Sequence, residues 1–116
     1  MTFGEHIRTV REKRQRENRA FSLRMVASRA GVQPAYLSKV EFEQTAPPPE
    51  RTIRRLAADL EEDADVLLAL AGRVSRDLQE IVIRRPRIFA DLLRSLDEAP
   101  DHVVTRITRE VRAGVS

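Results

Sequence analysis

Apolar residues recur along the first 72 residues at the three- and four-residue spacing that is typical of amphipathic helices. No strand-like alternation of apolar and polar residues interrupts this spacing, so the pattern predicts an all-α fold. Five helices are predicted in this region, with inward positions at Phe3, Ile7 and Val10; Leu23, Val26, Ala27 and Ala30; Val32, Leu37 and Val40; Ile53, Leu56, Ala57 and Leu60; and Val66, Leu67, Leu70 and Ala71.

The second and third predicted helices meet within the stretch ASRAGVQPAYLSKVE, which begins at Ala27. Gly31 is placed to end a helix in the left-handed conformation, and Pro34 is tolerated in the first turn of the next helix. A helix, a glycine-centred turn and a second helix form the helix-turn-helix arrangement, whose second helix can enter the DNA major groove. From the turn alone, a plain corner in a small helical bundle remains the alternative.

Beyond Gly72 the helical spacing continues, broken by two prolines. Ser75 is predicted to cap a sixth helix, Pro86 to start a seventh and Pro100 to open an eighth. The sequence therefore predicts one domain over residues 1–72 and a C-terminal helical extension over residues 73–116.

Composition argues against catalysis and against a bound metal. The chain has no cysteine, and its two histidines, His6 and His102, lie far apart without the spacing of metal ligands. It also lacks a glycine-rich phosphate loop and a convergent cluster of acids. We therefore expect a protein that is not an enzyme and that uses no metal or other cofactor. Because no run of about 18 apolar residues occurs, we expect no membrane association and a cytoplasmic location.

The net charge of +3 is unevenly distributed. Residues 1–45 carry nine Lys or Arg against five Asp or Glu, whereas residues 46–72 carry three against six. The basic surface therefore belongs to the N-terminal part of the chain, where the predicted helix-turn-helix lies. A basic surface favours a polyanionic partner, although a solvated helix surface often has a similar charge.

Three segments, FGEHIRTVREKR, SLRMVASRAGVQPAYLSKVE and TIRRLAADLEEDADVLLALAG, follow one another between Phe3 and Gly72. In this order they resemble the phage repressor and Cro-type helix-turn-helix family, the XRE class, which has a five-helix, lambda-repressor-like domain. The resemblance implies sequence-specific binding of double-stranded DNA and transcriptional regulation, most often repression.

The resemblance also implies roles for individual residues. Positions that face base edges in the family correspond to Gln33, Pro34, Ala35, Ser38 and Lys39. Positions near the DNA backbone correspond to Ser22, Arg24, Ser28, Tyr36, Gln44 and Thr45. Arg11 and Glu41 match an ion pair between the first and third helices, for which we expect a structural role. For Tyr36, the alternative to a backbone contact is a packing role. For Lys39, the alternative to a base contact is a phosphate contact or plain solvation.

The chain departs from the family pattern in two places. The family commonly has glycine near Glu43, where this chain has FEQTAPPP. The link QRENRAF between the first two helices is several residues longer than the usual turn, and we expect it to be a solvated loop. Contact of its Arg16 and Arg19 with the flanking DNA backbone is the alternative.

The extension carries more apolar side chains than a disordered tail needs. Because two-fold related recognition helices can read two half-sites, we expect it to form a homodimer. The expected interface residues are Leu78, Ile81, Leu92, Leu93, Leu96, Ile107 and Val111. Two alternatives remain open: the extension packs on its own domain, or it binds a partner protein such as a toxin or a protease.

Overall fold

All regular structure in residues 1–115, which the computed structural model describes, is helical. Ser116, the last residue of the predicted extension, lies outside the described residues. The helices are α1 (Phe3–Gln15), α2 (Leu23–Ala30), α3 (Pro34–Glu41), α4 (Glu50–Leu60), α5 (Ala64–Leu70), α6 (Arg76–Arg84), α7 (Pro86–Asp97) and α8 (Asp101–Val115). Contacts divide the chain into a first unit, Met1–Ser75, and a second unit that begins at Arg76, three residues later than the sequence boundary at 72/73.

The first unit packs α1 against α3, α2 against both α3 and α4, and α5 against α4. Its buried apolar side chains are Phe3, Ile7, Val26, Ala27, Ala30, Leu37, Val40, Ile53, Leu56, Ala57, Leu60, Leu67 and Leu68. The inward positions predicted for α4 are confirmed in full, because all four lie in this core.

The prediction for α5 was wrong at two positions. Val66 and Leu70 are exposed, whereas Leu68, which was not predicted to face inward, is completely buried. Ala64 and Ala71 pack against the core together with Leu67 and Leu68. The inward stripe of α5 therefore starts at Ala64 and follows the spacing i, i+3, i+4, i+7, which turns Leu68 rather than Leu70 toward α4.

Side chains cap the N-termini of three helices in the first unit. Thr2 and Glu5 form a capping box at α1, and the Ser22 hydroxyl accepts a hydrogen bond from the Met25 N–H at α2. At α5, Asp63 accepts from the N–H groups of Asp65 and Val66. These bonds satisfy N–H groups that have no partner within the helix.

Four helices of the first unit end at a residue in the left-handed conformation. Two of these residues are glycines, Gly31 and Gly72, each with φ of 75°. The other two are Glu43 (φ 60°) and Glu61 (φ 56°). After α3, the Gln44 N–H donates to the Lys39 carbonyl and the Glu43 N–H to the Val40 carbonyl, so Glu43 occupies the position that glycine prefers in a Schellman motif.

We expect Glu43→Gly to stabilise the first unit by about 0.5–1 kcal/mol, because glycine adopts positive φ without the steric penalty of a Cβ atom. Urea unfolding measures this difference. Glu43→Ala is the matched control, since it removes the same charge and keeps the penalty. Equal stabilisation by both variants would attribute the effect to charge and contradict the backbone explanation.

The link between α1 and α2 is not wholly irregular. Its polar residues 16–19 are exposed, as expected for a solvated loop, but Arg19–Phe21 form a 3-10 turn. Phe21 is half-buried against the core, and the guanidinium groups of Arg14 and Arg29 lie over its ring. Arg29 also pairs with Asp59 of α4 through two N–H groups, and the hydrogen bond to this carboxylate raises the pKa of Arg29.

The proline run before α4 is irregular, as predicted, but it is anchored. Pro48 is completely buried, and the Arg73 guanidinium donates to the carbonyls of both Pro47 (3.0 Å) and Pro48. The segment after α5 is therefore tied to the loop between α3 and α4.

The second unit contains three amphipathic helices, with α6 packed on α7. Leu92 and Leu96 of α7 line a cleft with Val104, Ile107 and Val111 of α8. From Arg76 to Gly114 no side chain is buried. Among the predicted interface residues, Leu96 and Ile107 are half-buried in this cleft, whereas the exposed ones are Leu78, Ile81, Leu92, Leu93 and Val111.

Candidate nucleic-acid interface

The stretch that begins at Ala27 forms two helices joined by a turn. Gly31 ends α2 in the left-handed conformation, and the Val32 N–H closes the turn on the Ala27 carbonyl at 3.0 Å. Pro34 is the first residue of α3, where its missing N–H would have no helical partner. The predicted helix-turn-helix corner is therefore present, and its backbone is set by these two residues.

The corner leaves one side of α3 buried and the other in solvent. Leu37, Val40 and Glu41 point into the first unit. Ala35 and Lys39 are exposed on the opposite side, and Ser38 is half-buried. Gln33 is the exposed N-cap residue of α3, but its side chain makes no capping hydrogen bond. Of the residues that open α3, Gln33 therefore presents its amide to solvent, while Pro34 has no donor to offer.

Five of the six predicted backbone-contact residues lie before or after α3 in the chain, and the sixth, Tyr36, lies on α3 itself. Arg24 and Ser28 are exposed on α2, and Gln44 and Thr45 are exposed after α3. Ser22 caps α2, and its hydroxyl accepts from a backbone N–H while its own O–H can still donate. Tyr36 is half-buried, with its ring packed against the core.

Arg11 and Glu41 form a two-point ion pair that joins α1 to α3. Nε of Arg11 donates to Oε2 of Glu41 at 2.6 Å, and Nη2 donates to Oε1 at 2.9 Å. Both side chains are buried, with Glu41 only 1% exposed. The hydrogen bond to Glu41 raises the pKa of Arg11, so the guanidinium stays charged. Its third nitrogen, Nη1, donates to the Gln15 side-chain oxygen and to the Phe21 carbonyl. The pair fixes the orientation of α3 on the scaffold.

Gly4 makes a second contact between α1 and α3 that the sequence pattern did not reveal. A Cβ atom at this position would lie 2.4 Å from the carbonyl oxygen of Val40 and 2.8 Å from that of Glu41. Such distances are far below van der Waals contact, so α1 can approach the C-terminal end of α3 only because residue 4 is glycine.

Two further contacts also escaped the sequence analysis. The Arg8 guanidinium lies 4.5 Å from the centre of the Phe42 ring, directly after α3. His6 Nε2 lies 2.8 Å from Oε1 of Glu62. Both contacts join residues more than 30 positions apart. The local spacing of residues along the chain therefore does not predict them.

Cofactor and membrane sites can be assessed only for the described residues. Within residues 1–115, no three His, Cys, Asp or Glu side chains are grouped so that they could hold a metal ion. In the same part of the chain, no helix combines the length and the apolar character required to span a bilayer.

Comparison with known proteins gives one positive result. The family model described as helix-turn-helix matches residues 10–67, half of the chain, and this match covers α2, the corner and α3 together with α4. No curated protein and no solved structure matches the chain. From this match and from the helix-turn-helix geometry, the chain belongs to the phage repressor and Cro-type (XRE) helix-turn-helix family of DNA-binding regulators.

Proposed function

We propose that the protein is a non-enzymatic, cytoplasmic transcriptional repressor that binds a specific double-stranded DNA sequence. The observation that carries the proposal is the placement of α3. Its inner side is buried and held to α1 by the Arg11–Glu41 pair, and its outer side presents polar and small residues to solvent. A rigidly held helix with a free outer side is suited to entering the major groove.

Base recognition is assigned to the exposed side of α3. Gln33 can bond the adenine edge through its amide, and Lys39 can donate to guanine O6 or N7. Ala35 can contact a thymine methyl, while Pro34 and Ser38 complete the surface next to the bases. Because few of these side chains donate hydrogen bonds, direct recognition depends mainly on Gln33 and Lys39.

Phosphate contacts are assigned to the residues around this surface: Ser22, Arg24, Ser28, Tyr36, Gln44 and Thr45. The N-terminus of α2 has unpaired N–H groups that favour a phosphate, and Ser22 lies at that end. Such contacts position the protein on the duplex without distinguishing sequences.

Dimer formation is assigned to the second unit. Its helices have apolar sides, yet no side chain from Arg76 to Gly114 is buried. A second copy that covers Leu78, Ile81, Leu92, Leu93, Leu96, Ile107 and Val111 would remove these side chains from water. In a symmetric dimer, two copies of α3 can read half-sites about one turn of DNA apart, as an inverted-repeat operator requires.

Selection of bound duplexes from a random pool tests the proposal directly. The expected result is one recurring sequence with two-fold symmetry and a half-site spacing of about 10 base pairs. A single unsymmetric half-site would contradict the dimer and leave binding of a toxin or protease by the second unit as the alternative. Retention of every duplex with equal affinity across a salt series would overturn sequence-specific regulation.

Substitutions of the proposed base-contact residues and of the proposed phosphate-contact residues should affect binding of the selected duplex differently. Lys39→Ala and Gln33→Ala should each reduce discrimination at defined base pairs by about 1–3 kcal/mol, because each removes a contact with a base edge. Arg24→Ala should weaken all sequences alike. Competition binding with single-base variants of the duplex measures both effects, and uniform weakening by Lys39→Ala would assign Lys39 to a phosphate instead.

A further inference from the structure

The exposed side of α3 continues one turn beyond Lys39. Ala35, Ser38 and Lys39 precede Phe42 by seven, four and three positions, which places all four residues on one side of the helix. We call these four residues the recognition face. Phe42 is 56% exposed, so more than half of its surface is open to solvent.

Arg8 brings a positive charge to the end of this face. It projects from α1, and its guanidinium lies 4.5 Å from the centre of the Phe42 ring. An arginine stacks well on an aromatic ring and keeps the edges of its guanidinium available for hydrogen bonds. In the part of the chain that the structure describes, Arg8 has no other partner, whereas Arg11, Arg29 and Arg73 are all bonded to carboxylates or carbonyls.

Glu41, which adjoins Phe42 in the chain, does not neutralise this charge. Both carboxylate oxygens of Glu41 already accept hydrogen bonds from Arg11, through its Nε and Nη2. The stacked guanidinium is therefore held in place by the ring and not by an ion pair, so it can bind an external anion without first breaking a salt bridge.

We propose that Arg8, oriented by Phe42, binds a DNA backbone phosphate at the far end of the recognition face. This inference rests on the proposed function, since it requires α3 to lie in the major groove. There the strand that borders the groove passes the end of α3, and a guanidinium can donate two hydrogen bonds to a phosphate. The ring of Phe42 is a positioning group, because it fixes the guanidinium before DNA arrives.

The test compares full-length variants on the duplex selected above and on a scrambled duplex of equal length. Arg8→Gln should weaken binding to both by about tenfold and reduce the slope of log affinity against log salt by about 0.9, the value for one phosphate. Arg8→Lys keeps the charge and should restore the slope. Arg54→Gln is the matched control: it removes one charge from α4, where Arg54 pairs with Glu50, and should leave the slope unchanged.

Unfolding monitored by Tyr36 fluorescence checks that each variant is folded. A slope for Arg8→Gln equal to that of Arg54→Gln, with wild-type selectivity intact, would overturn the role of Arg8 and leave the proposed function standing. Failure of the wild-type protein to prefer the selected duplex would overturn both. The predicted pattern of slopes supports the assignment, because a purely structural role of the Arg8–Phe42 contact does not alter the number of phosphates bound.

Discussion

Replacing Glu41 by leucine should destabilise the first unit by about 3–5 kcal/mol, since it leaves the Arg11 charge buried without its partner. This is a large part of the 5–15 kcal/mol by which a small domain is usually stable. The chain has one tyrosine and no tryptophan, and that tyrosine, Tyr36, lies on α3. Its fluorescence during urea unfolding therefore reports on the first unit and on the helix that the ion pair holds.

The double variant Arg11→Met/Glu41→Leu separates the pair's net contribution from the penalty of an unpaired charge. Apolar side chains of similar volume often replace a buried ion pair without loss of stability. We therefore expect stability close to that of the wild type and DNA binding that is weaker, because apolar packing fixes α3 less strictly than two charged hydrogen bonds do. A single variant as stable as the double would contradict the description of Arg11 as desolvated.

Gly4→Ala should cost about 1–3 kcal/mol, because the added methyl group would meet the Val40 and Glu41 carbonyl oxygens at 2.4 and 2.8 Å. Backbone atoms cannot rotate away as a flexible side chain can, so α1 must move away from α3. The displacement also disturbs the Arg11–Glu41 pair, and we expect weaker DNA binding. Urea unfolding and binding to the selected duplex measure the two effects.

Gly114→Ala provides the control for this substitution. A Cβ atom at Gly114 meets nothing within 4 Å, and the residue lies inside α8, where alanine favours the helix more than glycine does. We expect no loss of stability in the transition that Tyr36 reports. A Gly4→Ala protein as stable as wild type would mean that the close approach of α1 to α3 is not required.

The sequence predicted those parts of the fold in which single residues have strong backbone preferences or apolar residues recur at helical spacing. Gly31 and Pro34 predicted the corner, and Gly72 predicted the end of α5. The apolar spacing predicted each α-helix that the described residues form. Glu43 and Glu61 adopt the same left-handed conformation as the two glycines, but glutamate carries no signal for it. The inward stripe of α5 was misassigned because seven residues contain too few turns to separate neighbouring registers.

The site was predictable only where the chain resembles its family. The Arg11–Glu41 contact was expected from that resemblance, and the structure places the two side chains together. The Arg8–Phe42 contact and the approach of Gly4 to α3 depend on how α1 packs across α3. Contacts of this kind do not change the apolar spacing along either helix. They are therefore not predicted from the sequence and are identified only in the folded structure.

At the N-cap of α3, helix stability and the proposed base contact of Gln33 compete. Thr2, Ser22 and Asp63 cap their helices, but Gln33 does not cap α3. Serine or aspartate at this position would strengthen the helix by about 1 kcal/mol and would remove the longest polar side chain at its front. Under the proposed function, selection for thermal stability alone would therefore favour a residue at position 33 that caps α3 and removes the base contact.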